Sequence, residues 1–268
     1  MKLFHISIFV FRIWLRPKAA LGNLWLHLMS NIIIEFKNVY KSFNGILVHN
    51  GINLSILEGE IISLLGGSGS GKSVLLKELI GLMKPDKGDI TVLNQNVTQM
   101  NEEALIALRE HIGMLFQGAA LFDSLTVFEN IAYPLREHLK LTEKEIQERV
   151  ADKLHLVGLR GIEKKMPDEL SGGMKKRVGL ARAIATEPKI ILYDEPTTGL
   201  DPMTAQRIND LIIELQKKLG ITTIVVTHDL HCVKTVSDRI AMLHEGKIVA
   251  VGTWEELVTS NIQVVQDF

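Results

Sequence analysis

The residues Gly66-Gly-Ser-Gly-Ser-Gly-Lys72-Ser73 fit the pattern G-x-x-x-x-G-K-[ST]. An apolar run, Ile61-Ile62-Ser63-Leu64-Leu65, precedes them. A helical pattern from Val74 to Ile80 follows and stops at Gly81. Strand, Gly-rich loop, helix is the context a phosphate-binding loop requires. Successive amides through Gly66, Ser68, Gly69, Ser70 and Gly71, with the helix N-terminus at Val74, form a concave anion site. The glycines let the backbone close without Cβ clashes. Lys72 can set its ammonium on the outer phosphates, and Ser73 can offer its hydroxyl to Mg²⁺. A flexible Gly/Ser turn, the bland alternative, accounts for neither the strand before it nor the helix after it.

A second acidic site closes the apolar run Ile190-Ile191-Leu192-Tyr193-Asp194-Glu195. Beside a phosphate loop, Asp194 can hold Mg²⁺ through its water shell. Glu195 can polarise the water that attacks a γ-phosphate. Alone, two acids at a strand end are as often a solvated cap. Upstream lies Leu170-Ser171-Gly172-Gly173-Met174-Lys175-Lys176-Arg177. Ser171 occupies a cap position, and Val178, Ala181, Ile184 and Ala185 give the following helix an apolar face. Two glycines at a helix start lower its propensity, and close approach to an anion is a reason to keep them.

Taken in order, these motifs resemble the nucleotide-binding subunits of ABC transporters, over about residues 32–258. The resemblance implies an ATP- and Mg²⁺-dependent ATPase acting as a homodimer. By resemblance, Ser171, Gly172 and Gly173 are the signature loop that meets the γ-phosphate held by the other protomer. Gln117 is the residue linking Mg²⁺ and water to a transmembrane subunit. Gly199-Leu200-Asp201 stands where the family places its dimer-interface loop. His228, in Val226-Thr227-His228-Asp229, matches the histidine that senses the γ-phosphate, and Phe43 matches the aromatic that stacks on adenine. Two positions depart from the pattern. Met174 stands where most of the superfamily has Gln and cannot donate as Gln does. Tyr193 precedes Asp194 in an otherwise aliphatic strand.

Within that superfamily, the string Met114-Leu-Phe-Gln117-Gly-Ala-Ala-Leu121-Phe122-Asp-Ser-Leu125-Thr-Val-Phe128, followed by Pro134-Leu-Arg-Glu-His138 and the Met174 signature, resembles the ATPase subunits of Mla/Mce-type lipid transport systems. One position is changed, Gly118-Ala119 for the Ser-Gly of several members. This resemblance implies two permease subunits above the ATPase dimer, an MCE-domain protein in the periplasm and, in some systems, a small STAS-type subunit. It implies phospholipid as cargo, moved between inner and outer membranes. Leu121, Phe122, Leu125, Val127 and Phe128 form an apolar cluster just after Gln117. Such a cluster is either subdomain core or a groove for a partner helix. An importer of another small substrate, such as an amino acid or metal, is the nearest alternative. A soluble ABC protein acting on DNA or translation usually carries two cassettes or a long coiled coil, and neither is present.

The elements that must position these residues follow from pattern. Ile32–Phe36 and Gly51–Leu57 read as strands around the turn Asn44-Gly45. Gly88–Leu93 and His111–Phe116 read as further strands. Ile190–Tyr193, Thr222–Val226 and Arg239–Leu243 are short apolar runs of the buried parallel kind. Met203–Leu219 reads as a long helix. Residues 141–160 read as another, with Thr142 and Glu145 near the form of a capping box. The expected fold is α/β: a P-loop NTPase of the ABC type, with a RecA-like core sheet, an antiparallel β-subdomain and an inserted helical subdomain at about 118–170. The ATPase domain is expected over 31–268.

Composition sets bounds. The chain has 268 residues and a formal net charge of −1, which argues against nucleic acid as a partner. One cysteine, Cys232, excludes an internal disulfide and any CxxC site and suits a reducing compartment. Residues 1–30 carry Lys2, Arg12, Arg16 and Lys18 with no acid, and hold Trp14 and Trp25. The run Ile6–Phe11 falls far short of the ~20 residues of a membrane span. A P-loop enzyme needs cytosolic ATP, which argues against export. The segment is either a membrane-surface or partner-binding helix or an extension outside the folded domain. The expected location is the cytoplasmic face of a bacterial inner membrane, peripherally.

Overall fold

The computed structural model describes residues 31–268. The basic segment 1–30 lies outside the described residues.

Two sheets share the work. The larger has the order β10-β9-β3-β8-β7-β6. Here β3 is Ile61–Leu65, β6 Ile112–Leu115, β7 Ile190–Asp194, β8 Thr222–Thr227, β9 Arg239–His244 and β10 Lys247–Gly252. The pairs β3–β8, β3–β9, β6–β7 and β7–β8 are parallel, and β10 returns antiparallel on β9. Every residue of β3 and β8 is buried, which is why both read as unbroken runs of buried-strand residues rather than as alternation. The smaller sheet has the order β2-β1-β4-β5, with β1 Ile32–Phe43, β2 Ile46–Leu57, β4 Lys87–Val92 and β5 Gln95–Asn96. β1 and β4 pair antiparallel, as do β4 and β5.

Side-chain alternation along the large sheet divides the core. Ile191, Tyr193 and Val225 join one cluster, while Ile190, Leu192, Ile224 and Val226 join the other. The second cluster takes in Phe36, Ile52, Ile56 and Ile90 from the small sheet, and Leu75, Leu76 and Leu79 from helix α1, Lys72–Leu79. The first takes in α3, Val127–His138, and α4, Glu143–Leu156, with α5, Gly172–Ala183, and α6, Pro202–Leu219. Helix α2 is Glu102–Arg109, and α7 to α9 are Leu230–Val236, Trp254–Val258 and Gln263–Asp267.

The expected strands and helices are present, with differences at their margins. β1 and β2 are each longer than their apolar patterns and run up to Asn44-Gly45, where φ is 50° and 81°. Those two positive φ values are what a two-residue hairpin turn demands. Polar residues on the exposed side of β1, Lys37 to Ser42, mask its length in the sequence. The capping box on α4 is complete: Thr142 N donates to Glu145 Oε2 at 2.7 Å, and Glu145 N to Thr142 Oγ1 at 3.3 Å. Helices α2, α8 and α9 and strands β5 and β10 are additions to the expected set. Cys232 is fully buried on α7, and burial pushes its thiol up to about 12.

Candidate active site

The loop 66–71 joins β3 to α1, and its geometry depends on what lies behind it. Gly71 has φ 99°, and a Cβ there would come within 2.8 Å of both His49 Nε2 and Val48 Cγ1. Only glycine closes that turn against β2. Helix α1 starts without a side-chain cap, unlike α3 to α6. Its first amides are therefore left to a ligand, with the positive end of the helix dipole behind them. Lys72 is buried, and its ammonium donates to the carbonyls of Gly66 at 2.7 Å and Gly67 at 2.9 Å. Burial holds its pKa below the usual lysine value, while Glu195 and Asp194 act the other way. Ser70 Oγ is buried with no protein partner. An uncapped helix, a buried cation and an unpartnered hydroxyl suit a bound polyphosphate.

The acidic pair stands beside this loop because β7 neighbours β8, and β8 neighbours β3. Ser73 Oγ donates to Asp194 Oδ1 at 3.1 Å. Burial raises the Asp194 pKa, against the bond from Ser73. Among the described residues, no group of three or more His, Cys, Asp and Glu could hold a metal by itself. One carboxylate and one hydroxyl instead suit Mg²⁺, which keeps water and phosphate ligands.

Glu195 leaves β7 with φ 50°, an uncommon conformation for a non-glycine residue. It is held there on both sides. Its amide donates to Val226 O at 2.8 Å, and its carboxylate accepts from Thr198 Oγ1 at 3.0 Å and Thr227 Oγ1 at 3.3 Å. His228 Nδ1 lies 2.9 Å from Glu195 Oε1. Thus the structure brings together Lys72, Ser73, Asp194, Glu195 and His228, from three adjacent strand ends.

The other expected residues lie further out. Gln117 follows β6, whose Leu115 is opposite Tyr193 of β7, so it emerges beside the acidic pair. Its side chain is exposed. Ser171 caps α5 by accepting from Met174 N at 3.3 Å. Among the described residues, no hydrogen bond joins Ser171, Gly172 or Gly173 to the phosphate loop of the same chain. A Cβ on Gly173 would come within 2.5 Å of Thr204 Cγ2, so this glycine has a packing reason besides any anion. Asp201 caps α6, accepting from Thr204 N at 3.0 Å, and the hydrogen bonds from Thr204 lower its pKa. Phe43 ends β1, partly exposed, with the Lys41 ammonium 5.4 Å from its ring centre. Tyr193 is fully buried, and burial raises its pKa.

The apolar cluster after Gln117 divides. Val127 is fully buried, and Leu121 and Phe128 pack against the same core. Phe122 is 46% exposed and lines a groove of 460 Å³ with Phe116, Tyr133, Pro134 and Arg182. Leu125 is outside that lining. Lys176 is the residue that pattern reading missed: it is buried on α5, and its ammonium donates to the carbonyls of Gln117 and Glu195.

A model of the ABC transporter family matches residues 49–198, spanning the loop, the signature and the acidic pair. The chain belongs to the ABC transporter family. As an ABC ATPase it hydrolyses ATP and uses Mg²⁺. It is closely related to MlaF-type lipid-transport ATPases. The "intermembrane phospholipid transport system ATP-binding protein MlaF" of Haemophilus influenzae is 41% identical over 89% of this chain and 90% of that protein. The "probable ribonucleotide transport ATP-binding protein mkl" of Mycobacterium leprae is 44% identical over 88% of this chain and 68% of that protein. The ABC ATPase thus spans about two thirds of the mycobacterial relative's length. Among solved structures, a dimeric ATP-binding cassette in a post-hydrolysis state with ADP and Pi superposes with a TM-score of 0.77 at 34% identity, over 82% of this chain and 98% of that one. No helix among the described residues is long and apolar enough to cross a membrane.

Proposed function

We propose that this ABC ATPase drives phospholipid transport between inner and outer membranes, as a homodimer beneath two permease subunits at the cytoplasmic face of the inner membrane. In this reading an MCE-domain protein completes the complex in the periplasm, with a STAS-type subunit as an optional fourth component. The observation that carries it is the groove beside Gln117. It presents Phe122 and Tyr133 as neighbouring rings, 5.3 Å apart, on a segment that leaves the nucleotide site directly. Phe122 lies within the string that resembles the Mla/Mce-type ATPases and Tyr133 directly precedes its Pro134–His138 part, and the MlaF relative matches over nine-tenths of its length.

Each residue then has one task. Lys72 and the amides from Gly66 to Val74 hold the phosphates of ATP. Ser73, Asp194 and the side chain of Gln117 would hold Mg²⁺, which when bound neutralises charge on the phosphate oxygens. Glu195 orients and deprotonates the attacking water. His228, Thr198 and Thr227 hold the Glu195 carboxylate in place. Phe43 stacks on adenine. Ser171, Gly172, Gly173 and Asp201 complete the partner's site, which is supported by the exposure of Ser171, Gly172 and Asp201 and by the dimeric relative.

The test is purification of the tagged chain from its own membranes, then reconstitution of what comes with it. A permease and an MCE-domain protein should co-purify. The complex in vesicles of phosphatidylethanolamine and phosphatidylglycerol should move labelled phospholipid to acceptor vesicles in an ATP-dependent way. ATP-dependent uptake of a ribonucleotide with no lipid transfer would establish the importer alternative instead.

A further inference from the structure

Among the described residues, Lys176 is the one side chain that hydrogen-bonds to both Gln117 and Glu195. It sits in the second turn of α5, about five residues or 7.5 Å along the axis from the cap Ser171. Its side chain runs inward and is only 5% exposed. Both of its hydrogen-bond acceptors are backbone carbonyls. One belongs to Gln117, the second residue past β6. The other belongs to Glu195, the first residue past β7, at 3.0 Å. Burial lowers the Lys176 pKa, while the nearby Asp194 and Glu195 carboxylates favour its charged form.

A buried ammonium on two carbonyls is an expensive arrangement for packing alone, because an apolar side chain would fill the space without desolvating a charge. What it does is fix two chain ends relative to each other. Glu195 has an uncommon positive φ, and its carbonyl is anchored by Lys176 while its amide is anchored by Val226. Gln117 turns away from its strand at the same point. Lys176, which holds both Gln117 and Glu195, is mounted on the helix that begins with the signature serine.

We propose that Lys176 is a positioning residue for hydrolysis. It sets Gln117 and Glu195 at the correct spacing and makes that spacing depend on where α5 sits. Movement of the signature helix against a partner's nucleotide is thereby transmitted to the residues that handle water in this protomer. The proposal rests on the roles assigned above to Gln117 and Glu195.

The experiment uses the full-length chain and compares Lys176→Met, Lys176→Arg, Gln117→Ala and Glu195→Gln. Losing a hydrogen-bonded charged group should lower kcat about 10- to 100-fold in Lys176→Met. KM for ATP should stay within about twofold, because the phosphate contacts are intact. Lys176→Arg keeps the donors and should recover kcat to within about fivefold. On a Gln117→Ala background the loss from Lys176→Met should shrink, since one of the two positioned residues is already gone. Full kcat in Lys176→Met, alongside an inactive Glu195→Gln, overturns the proposal and leaves the site assignment standing. Full turnover in Glu195→Gln overturns the site assignment itself. Should Lys176→Met fail to fold, the same cycle with Lys176→Gln reads the coupling, and strictly additive losses with Gln117→Ala overturn it.

Discussion

His228 Nδ1 and Glu195 Oε1 are 2.9 Å apart, with the carboxylate largely buried and the ring mostly exposed. The pair is asymmetric. Thr198 and Thr227 also donate to the Glu195 carboxylate, so it is fixed from three directions, whereas the ring is free to answer to a ligand. A carboxylate held in that way, in the role of base proposed above, is placed by the protein itself.

Replacing Glu195 tests the proposed role directly. Glu195→Gln keeps the size and removes the proton acceptor. Turnover should fall at least about 100-fold, the range for a positioned general base, while ATP affinity is retained. His228→Ala should lower kcat more than it raises KM. Steady-state kinetics with an equilibrium ATP-binding measurement separate the two. Unchanged turnover in Glu195→Gln sinks the assignment.

The phosphate loop should behave differently. Lys72→Ala removes a buried ammonium aimed into the loop, so its effect falls on binding. A lost charge-assisted contact of about 1.5–3 kcal/mol corresponds to roughly 10- to 100-fold in ATP affinity. Fluorescent-nucleotide titration measures it, and an affinity unchanged within twofold counts against Lys72 as a phosphate ligand.

How much of this was legible in the sequence depends on the kind of interaction. The phosphate loop, the acidic strand end and the α4 capping box are local patterns, with every partner within a few residues. The parallel strands were visible because β3 and β8 are buried on both faces. Lys176 was not, because a lysine on a helix ordinarily reads as solvated and its acceptors are carbonyls, which carry no residue identity. Nor was the contact of His49 with Glu78, whose two residues meet only once β2 packs on α1. The apolar cluster 121–128 shows the same limit from the other side. Its members have one composition, yet Val127 is core and Phe122 is surface.

His49 and Glu78 yield a stability prediction. Both side chains are completely buried, with Nδ1 and Oε2 2.8 Å apart. Their alignment falls short of a hydrogen bond, so each leaves buried polar atoms that face one another rather than water. His49 Nε2 also contacts the Gly71 carbonyl at 3.1 Å, behind the phosphate loop. Removing one member of such a pair strands the other's buried polar atoms, at a cost of about 1–3 kcal/mol. His49→Leu should therefore destabilise strongly, and adding Glu78→Leu should restore most of the loss. Urea denaturation of the two variants decides it. A double variant no more stable than the single one contradicts the account of two buried polar groups that depend on each other.

Two copies should share each site. Lys72→Ala impairs one protomer's phosphate loop, and Ser171→Arg blocks the signature surface it presents to its partner. Each variant alone should fail to form an ATP-bound dimer. In a mixture, one of the two sites in a mixed dimer draws its loop and its signature from unaltered residues. ATP-dependent dimer should partly return, measured by light scattering or analytical ultracentrifugation. No recovery on mixing counts against a shared site.

The last prediction concerns the groove. Phe122 is presented rigidly. Its amide donates to Asn130 Oδ1 at 2.8 Å, and its carbonyl accepts from Asn130 Nδ2 at 3.1 Å, with Asn130 itself fully buried. The ring stands against Tyr133, and the Arg182 guanidinium lies 5.9 Å from its centre. Arg182 in turn donates to the carbonyls of Ala119 and Ala120, so the groove floor is tied to the segment that follows Gln117. An aromatic held this firmly, with no core to fill, has the character of an interface anchor. Phe122→Ala should leave folding and basal hydrolysis intact, because the side chain is nearly half exposed. It should weaken attachment to the permease by at least about 30-fold, the effect of losing an anchor worth 2 kcal/mol. Tyr133→Ala should act in the same direction. Leu125→Asp, outside the groove, should release the complex far less than Phe122→Ala. Co-purification of each variant with the permease reads all three, and normal recovery of Phe122→Ala assigns the partner surface elsewhere.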